Sequence, residues 1–121
     1  MRRYSETHEW VEEHNGLATV GLTQAGARYI GSITFIQLPQ VGELFKAGDV
    51  AAVVESTKAA IDLCTPVSGQ VVEVNESLKQ NISLLVEKGE GAGWLFRIQL
   101  SAPSEFLTLL DEKRYHSLIK E

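Results

Sequence analysis

A lysine lies in a short connection between two apolar, strand-like segments. Residues 50–55 form the first segment, Ser56, Thr57 and Lys58 follow, and the second segment begins at Ala59. This order predicts a β-hairpin with Lys58 at its tip, because apolar runs joined by a few polar residues pair as neighbouring strands. Such a lysine projects into solvent from a firmly held backbone, so another enzyme could acylate its amine. A group tethered there would gain effective concentration at nearby active sites.

A second interpretation of Lys58 requires no chemistry. Lysine is mostly exposed in folded proteins, and many turn lysines only keep a surface hydrophilic. Ser56 and Thr57 have no nearby histidine that could act as a base, so nucleophilic catalysis by either hydroxyl is not expected. The local pattern therefore leaves two interpretations open, an acylated lysine and a solvated turn residue.

Short strand-like runs surround this hairpin. Asn15 and Gly16 separate two of them and predict a tight turn, because both turn positions favour positive φ. Thr23 is predicted to cap a short helix over residues 24–30 that ends at Gly31. Strands are predicted over residues 8–13, 17–22, 32–38, 50–55, 59–65, 70–75 and 94–100.

The last part of the chain has a different pattern. The apolar residues after Ser101 recur at helical spacing, with a start signal at Pro103 or Ser104 and a second cap at Asp111. Many short strands followed by helix predict a mainly β sandwich or barrel. We expect a single domain over residues 1–121, with residues 103–119 as a C-terminal helical appendage.

Net charge limits the expected binding partners, and cysteine content limits the expected disulfides. The 121 residues carry 11 Lys and Arg against 16 Asp and Glu, a formal charge of −5. Nucleic acid is therefore not an expected partner, whereas enzymes with basic docking surfaces are. Cys64 is the single cysteine, so an intramolecular disulfide is excluded, and we expect it to be a small core residue in a reduced, cytoplasmic protein. No apolar run approaches the ~20 residues that span a membrane, so no membrane segment is expected. We also expect the protein to be a monomer.

Metal and phosphate sites are not predicted. His8, His14 and His116 are scattered along the chain without ligand spacing to cysteine or carboxylate. The glycines at 89, 91 and 93 form a loop and do not lead from a strand into a helix, as a phosphate loop requires.

Several segments in order resemble the H-protein of the glycine cleavage system. The resemblance covers roughly residues 4–119 and is strongest around Lys58, where residues 54–59 read Val-Glu-Ser-Thr-Lys-Ala. Many ordered matches along one chain are more specific than any one of them. The other matching segments are residues 5–11, 20–23, 30–33, 38–42, 66–69, 72–76 and 93–95.

The resemblance implies a fold and a set of site residues. The fold is a hybrid barrel-sandwich of the lipoyl-domain type, built of short antiparallel strands with a short N-terminal helix and a C-terminal helical segment. Lys58 would hold lipoate in amide linkage, and Glu55 would be recognised by the lipoate-attaching enzyme. Gly69, eleven residues after Lys58, stands where lipoyl domains keep a glycine near the tip, and it would permit close packing of a neighbouring turn.

The resemblance also implies a non-catalytic carrier. The lipoyl arm would shuttle an aminomethyl group between glycine decarboxylase, aminomethyltransferase and dihydrolipoyl dehydrogenase. The chain departs from the family pattern between Leu78 and Gly93, and Ser32 replaces a common aspartate. These departures leave open an H-like lipoyl protein outside glycine cleavage, serving as a lipoate donor or as a carrier for another redox or regulatory system. A biotin carrier and an unmodified binding module are further alternatives, although methionines, which usually flank a biotinylated lysine, are absent beside Lys58.

Overall fold

The computed structural model describes residues 1–119, so the last two residues of the predicted 1–121 domain lie outside it. The described elements are, in chain order, β1 (Arg2–Tyr4), β2 (Glu9–His14), β3 (Leu17–Leu22), α1 (Gln24–Ile30), β4 (Ile33–Gln37), β5 (Leu44–Phe45), β6 (Val50–Ser56), β7 (Ala60–Cys64), β8 (Gly69–Val74), α2 (Ser77–Gln80), α3 (Ser83–Glu87), β9 (Phe96–Leu100), α4 (Ser104–Leu107) and α5 (Glu112–Ile119).

Two antiparallel sheets form the body of the protein. The larger has the strand order β1-β2-β3-β9-β8-β5, and the smaller has the order β4-β6-β7. The sheets are not closed into a barrel. The prediction of a mainly β fold with one short N-terminal helix and a helical C-terminal segment is confirmed.

The first hairpin and the first helix follow the predicted local chemistry. Asn15 and Gly16 have φ values of 53° and 84° and connect β2 to β3. The Thr23 side chain accepts a hydrogen bond of 3.1 Å from the backbone N–H of Gly26, which satisfies an otherwise free donor of α1. The helix ends before Gly31, whose φ is 81°.

The core fills the space between the sheets. Most side chains with at most 1% exposure come from β2, β3, β6, β8 and β9, and burial of each large apolar one contributes about 1.5–3 kcal/mol. They include Val11, Val20, Leu22, Val54, Val71 and Ile98.

A smaller aromatic cluster attaches the C-terminal helix. The rings of Tyr4 and Tyr115 are stacked with centroids 4.6 Å apart. The backbone N–H of Arg114 donates to the Asp111 carboxylate over 2.8 Å, which confirms Asp111 as the cap of α5. The backbone of Leu110 exchanges two hydrogen bonds of 2.8 Å with that of Tyr4, so the segment before α5 is also fixed.

Several short elements differ from the prediction. The sequence predicts only a connection over residues 75–93, but α2 and α3 form there and bury Leu78 and Leu85. The strands β1 and β5 were also not predicted. Elements of two to five residues hold too few positions to display a hydrophobic period, and tertiary packing stabilises them instead.

Candidate functional site

The predicted hairpin around Lys58 is present. Strands β6 and β7 pair antiparallel, with Glu55 opposite Ala60 and Val54 opposite Ile61. Lys58 is exposed at the tip between the two strands. Among the described residues, its side chain takes part in no salt bridge, so no ion pair holds the amine.

The backbone of the tip is held by its own residues and by one neighbour. The Ser56 N–H donates to the Ala59 carbonyl over 2.9 Å, and the Thr57 N–H donates to the Ser32 carbonyl over 3.2 Å. The Ser56 hydroxyl accepts the N–H groups of Lys58 and Ala59, both over 3.2 Å. Because the amides of residues 56–59 all have acceptors, Lys58 projects from a fixed origin.

Glu55 lies in the strand that leads to the tip. It pairs with Phe35 on one side and Ala60 on the other, so these side chains share one face of the small sheet. Its side chain is exposed and forms no salt bridge within residues 1–119. The structure thus brings Glu55 and Lys58 into one hairpin with both side chains in solvent.

Gly69 lies elsewhere. It begins β8 in the large sheet, opposite Phe45 and Leu100, whereas β7 runs away from the tip and ends at Cys64. A Cβ at this position would overlap the backbone carbonyl of Gln99. The backbone of Gly69 therefore packs closely against β9, and Gly69 does not lie at the hairpin tip.

A cavity of about 300 Å³ runs beside β7. One wall comes from β7, a second from the segment before β2, and a third from α1. Most of the lining is apolar, and its ionisable side chains include the Glu9 carboxylate and the His8 imidazole. The lining residues are Thr7, His8, Glu9, Leu22, Gly26, Tyr29, Ile30, Ile61, Asp62, Leu63 and Cys64.

Glu9 is the buried carboxylate of this cavity, with 2% of its surface exposed. The Ser5 and Thr7 hydroxyls donate to the same oxygen, Oε1, over 2.5 and 2.6 Å. Burial raises the pKa of Glu9 above its ordinary value, and the two hydroxyl donors oppose that rise. No motif in the sequence indicated a role for Glu9, although its position two residues before the buried Val11 places both on the inner face of β2.

His8 joins the cavity to the C-terminal helix. Its φ is 75°, a backbone conformation that residues other than glycine seldom adopt. Its Nδ1 lies 2.8 Å from the Tyr115 hydroxyl, which lies 2.7 Å from the Thr23 hydroxyl. Burial lowers the pKa of His8, which favours the neutral imidazole. No periodic signal in the sequence relates residues 8 and 115, so this contact could not be predicted.

Cys64 lines the cavity and is half-buried, so the expectation of a core cysteine is wrong. It is the last residue of β7. Burial raises the pKa of its thiol, and the nearby Glu9 acts in the same direction.

The described residues contain no group of three or more His, Cys, Asp or Glu side chains that could hold a metal ion. Within residues 1–119, no helix has the length and apolar character needed to cross a membrane.

Two open antiparallel sheets with a solvent-exposed lysine on an anchored hairpin define a fold of the lipoyl-domain type. A solved structure, the crystal structure of a glycine cleavage system H protein from Mycobacterium marinum, superimposes with a TM-score of 0.90. The two chains are 35% identical, and the match covers 99% of this chain and 97% of that one.

The sequence comparisons agree with this fold. The family described as "Glycine cleavage H-protein" matches residues 2–121. The glycine cleavage system H protein of Thermotoga maritima is 44% identical over 115 residues, which cover 95% of this chain and 93% of the relative. That of Aeromonas salmonicida is 44% identical over 120 residues, with 98% and 93% covered. The chain belongs to the glycine cleavage H-protein family.

Proposed function

We propose that this protein is the lipoyl carrier of a glycine cleavage system and holds lipoate in amide linkage on Lys58. The observation that carries the proposal is the exposed amine of Lys58 on a tip whose backbone amides all have acceptors. Membership of the H-protein family supports the same function. The protein itself would be a non-catalytic subunit.

Lys58 is the reacting group in the attachment step. Its uncharged amine attacks the carboxyl carbon of an activated lipoyl group, either an adenylate or a thioester. An amide bond forms, the activating group leaves, and the amine loses a proton to solvent or to the attaching enzyme. Glu55 serves as a recognition residue for that enzyme, since it is exposed on the same hairpin.

The protein would supply placement, and the cofactor would supply reactivity. When bound, lipoate provides a dithiolane that takes up an aminomethyl group and is later restored by oxidation of the dithiol. The expected partners are glycine decarboxylase, aminomethyltransferase and dihydrolipoyl dehydrogenase. The tip fixes the origin of the arm, which raises its concentration at each partner.

The residues beside β7 fit an arm that rests on the protein. Ile61 lines the cavity and is three residues from Lys58, a separation of at most about 11 Å. A lipoylated lysine side chain of roughly ten bonds has a reach on the order of 12 Å. The apolar walls suit a hydrocarbon chain, and an ionised Glu9 would favour a cationic amine at its end. Such a site would also keep water from a labile cargo.

We propose a monomer in the cytoplasm, folded as one domain over residues 1–121 and requiring no metal. Relatives named for glycine cleavage do not favour the alternative of a lipoyl protein outside that system. They equally do not favour a biotin carrier or an unmodified binding module.

Glycine-dependent exchange of labelled carbon dioxide by a glycine decarboxylase tests the proposed system. The lipoylated protein should support exchange, whereas Lys58→Arg, which keeps the charge but offers no acylatable amine, should support none. A fully lipoylated protein that supports no exchange with decarboxylases from several sources would contradict the glycine cleavage role and leave only a lipoyl carrier of another system.

A further inference from the structure

A phenylalanine lies exposed beside the hairpin that holds Lys58. Phe35 belongs to β4, one of the two edge strands of the small sheet, and 55% of its surface is accessible. The next residue, Ile36, is buried in the core with 5% exposure. Packing therefore gives no reason for an aromatic ring at position 35, because a polar residue would suit an exposed edge better.

A β-bulge turns Phe35 outward. Ile33 pairs with Ser56 and Phe35 pairs with Glu55, so Thr34 is an extra residue that has no paired residue in β6. The Thr34 hydroxyl donates to the Glu55 carbonyl over 3.1 Å, which holds the bulge in place. Bulges redirect side chains near functional sites, and this one explains why apolar residues do not alternate cleanly in the sequence of β4.

Phe35, Glu55 and Ala60 form one row across the outer face of the small sheet, called here the outer row. All three side chains are exposed. The tip with Lys58 follows Glu55 directly and is tied to the start of β4 by the hydrogen bond from Thr57 to Ser32. The outer row therefore has a fixed position relative to the amine.

The adjacent row on this face consists of Gln37, Val53 and Asp62. The two rows together carry two carboxylates and no basic side chain. A partner that covers this face would need an apolar recess for the phenylalanine and a basic rim for the carboxylates.

We propose that the outer row is the docking surface for the enzyme that attaches lipoate, with Phe35 as its apolar anchor. The inference rests on the proposed function of Lys58. The attaching enzyme must bring its active site to the unmodified amine, so its surface meets the residues next to the tip. The other partners meet the far end of an arm with a reach on the order of 12 Å, and their active sites need not touch this face.

Attachment kinetics test the proposal. The unmodified protein, Phe35→Ala and the control Leu44→Ala are incubated with a purified ATP-dependent lipoate ligase, lipoic acid and ATP, and the lipoylated fraction is followed by mass spectrometry. Leu44 is a matched control because it is 75% exposed but lies in β5 of the other sheet. We expect Phe35→Ala to raise KM about tenfold with kcat within about twofold of wild type, as for loss of an aromatic anchor. Leu44→Ala should change neither.

A binding measurement separates docking from chemistry. The affinity of the non-acylatable Lys58→Arg variant for the ligase should fall about tenfold when Phe35→Ala is added. Phe35→Leu should retain most of the affinity, because a large apolar side chain remains, and thermal unfolding should show that each variant is folded.

The outcomes distinguish failure of lipoylation on Lys58 from failure of docking through Phe35. If wild type gains no lipoyl group, the proposed function fails irrespective of Phe35. If wild type is lipoylated and Phe35→Ala has an unchanged KM, or Leu44→Ala shows the same loss, the docking proposal is overturned. Normal attachment with impaired carbon dioxide exchange would assign this face to the decarboxylase and would likewise overturn it.

Discussion

Glu9 and Glu55 show how the surroundings of a carboxylate determine its use. Both lie close to the small sheet, yet Glu9 is 2% exposed under two hydroxyl donors, while Glu55 faces solvent. A buried carboxylate can act on something that enters the cavity, and an exposed one can act only on a partner surface. The resemblance to the H-protein family implied the role of Glu55, but the contacts of Glu9 with Ser5 and Thr7 are not revealed by residue type alone.

Substitution of Glu55 tests recognition of the hairpin. Glu55→Gln should slow attachment of lipoate to Lys58, because the ligase loses a charged contact, while the free energy of unfolding stays within about 0.5 kcal/mol of wild type. Initial attachment rates and urea unfolding measure the two effects. Glu112→Gln, an exposed change in α5, is the control and should leave the rate unaltered. An unchanged rate in Glu55→Gln would remove this residue from the recognition role.

The raised pKa of Glu9 predicts a pH-dependent stability. The unfolded carboxyl titrates near its ordinary value of 4.5, and the folded one titrates at a higher pH because of burial. The folded state therefore binds more protons between the two values, and stability falls as pH rises through that interval. Relative to Glu9→Gln, wild type should be most stable below pH 4.5 and should lose that advantage as pH rises through the folded pKa. Urea unfolding from about pH 3 to about 8 measures the difference.

Glu12 provides a control of opposite sign. A hydrogen bond from Arg2 lowers its pKa. Relative to Glu12→Gln, wild type should gain stability as pH rises through the folded pKa of Glu12 and keep it above 4.5. Equal pH profiles for both variants would contradict the assignment of Glu9 as a buried acid.

The elements around the tip were predictable to different degrees. The hairpin of β6 and β7 follows from two apolar runs and a short polar connection, and the Asn15-Gly16 turn follows from its residue types. In the sequence, the bulge in β4 shows only as an imperfect alternation of polar and apolar residues. The position of Gly69 was not predictable, because it depends on which strand becomes the neighbour of β8.

Gly69→Ala tests the role that the structure gives this glycine. The added methyl group would overlap the Gln99 carbonyl in β9, and forced separation of the strands should lower the free energy of unfolding by about 1–3 kcal/mol. Attachment of lipoate to the folded protein should remain normal, since Gly69 lies in the other sheet. Gly91→Ala is the control, because its nearest neighbour beyond the adjacent residues would lie 4.0 Å away. Impaired attachment in a fully folded Gly69→Ala would instead favour a role at the tip.

At the scale of the whole molecule, two sheets place a fixed lysine and a cavity side by side. The cavity takes its walls from residues 7–9, 22–30 and 61–64, which are far apart in sequence. A mainly β fold with terminal helices could be predicted from runs and turns, because these signals are local. The cavity could not, because it exists only after β2, α1 and β7 come together.

The helix α5 extends this arrangement to the C-terminal segment. Through Tyr115 it contacts His8 in the cavity wall and Thr23 at the start of α1. The C-terminal segment is therefore attached to the same region that borders the hairpin. The helical spacing after Ser101 predicted that a helix forms, but the residues it contacts depend on the tertiary fold.

The most direct test of the central claim is the intact mass of the protein after incubation with lipoate ligase, lipoic acid and ATP. Wild type should gain the mass of one lipoic acid less one water, with fragmentation placing it on Lys58, and Lys58→Arg should gain nothing. A lipoyl group on Lys58→Arg, or no addition to correctly folded wild type with an active ligase, would contradict the account.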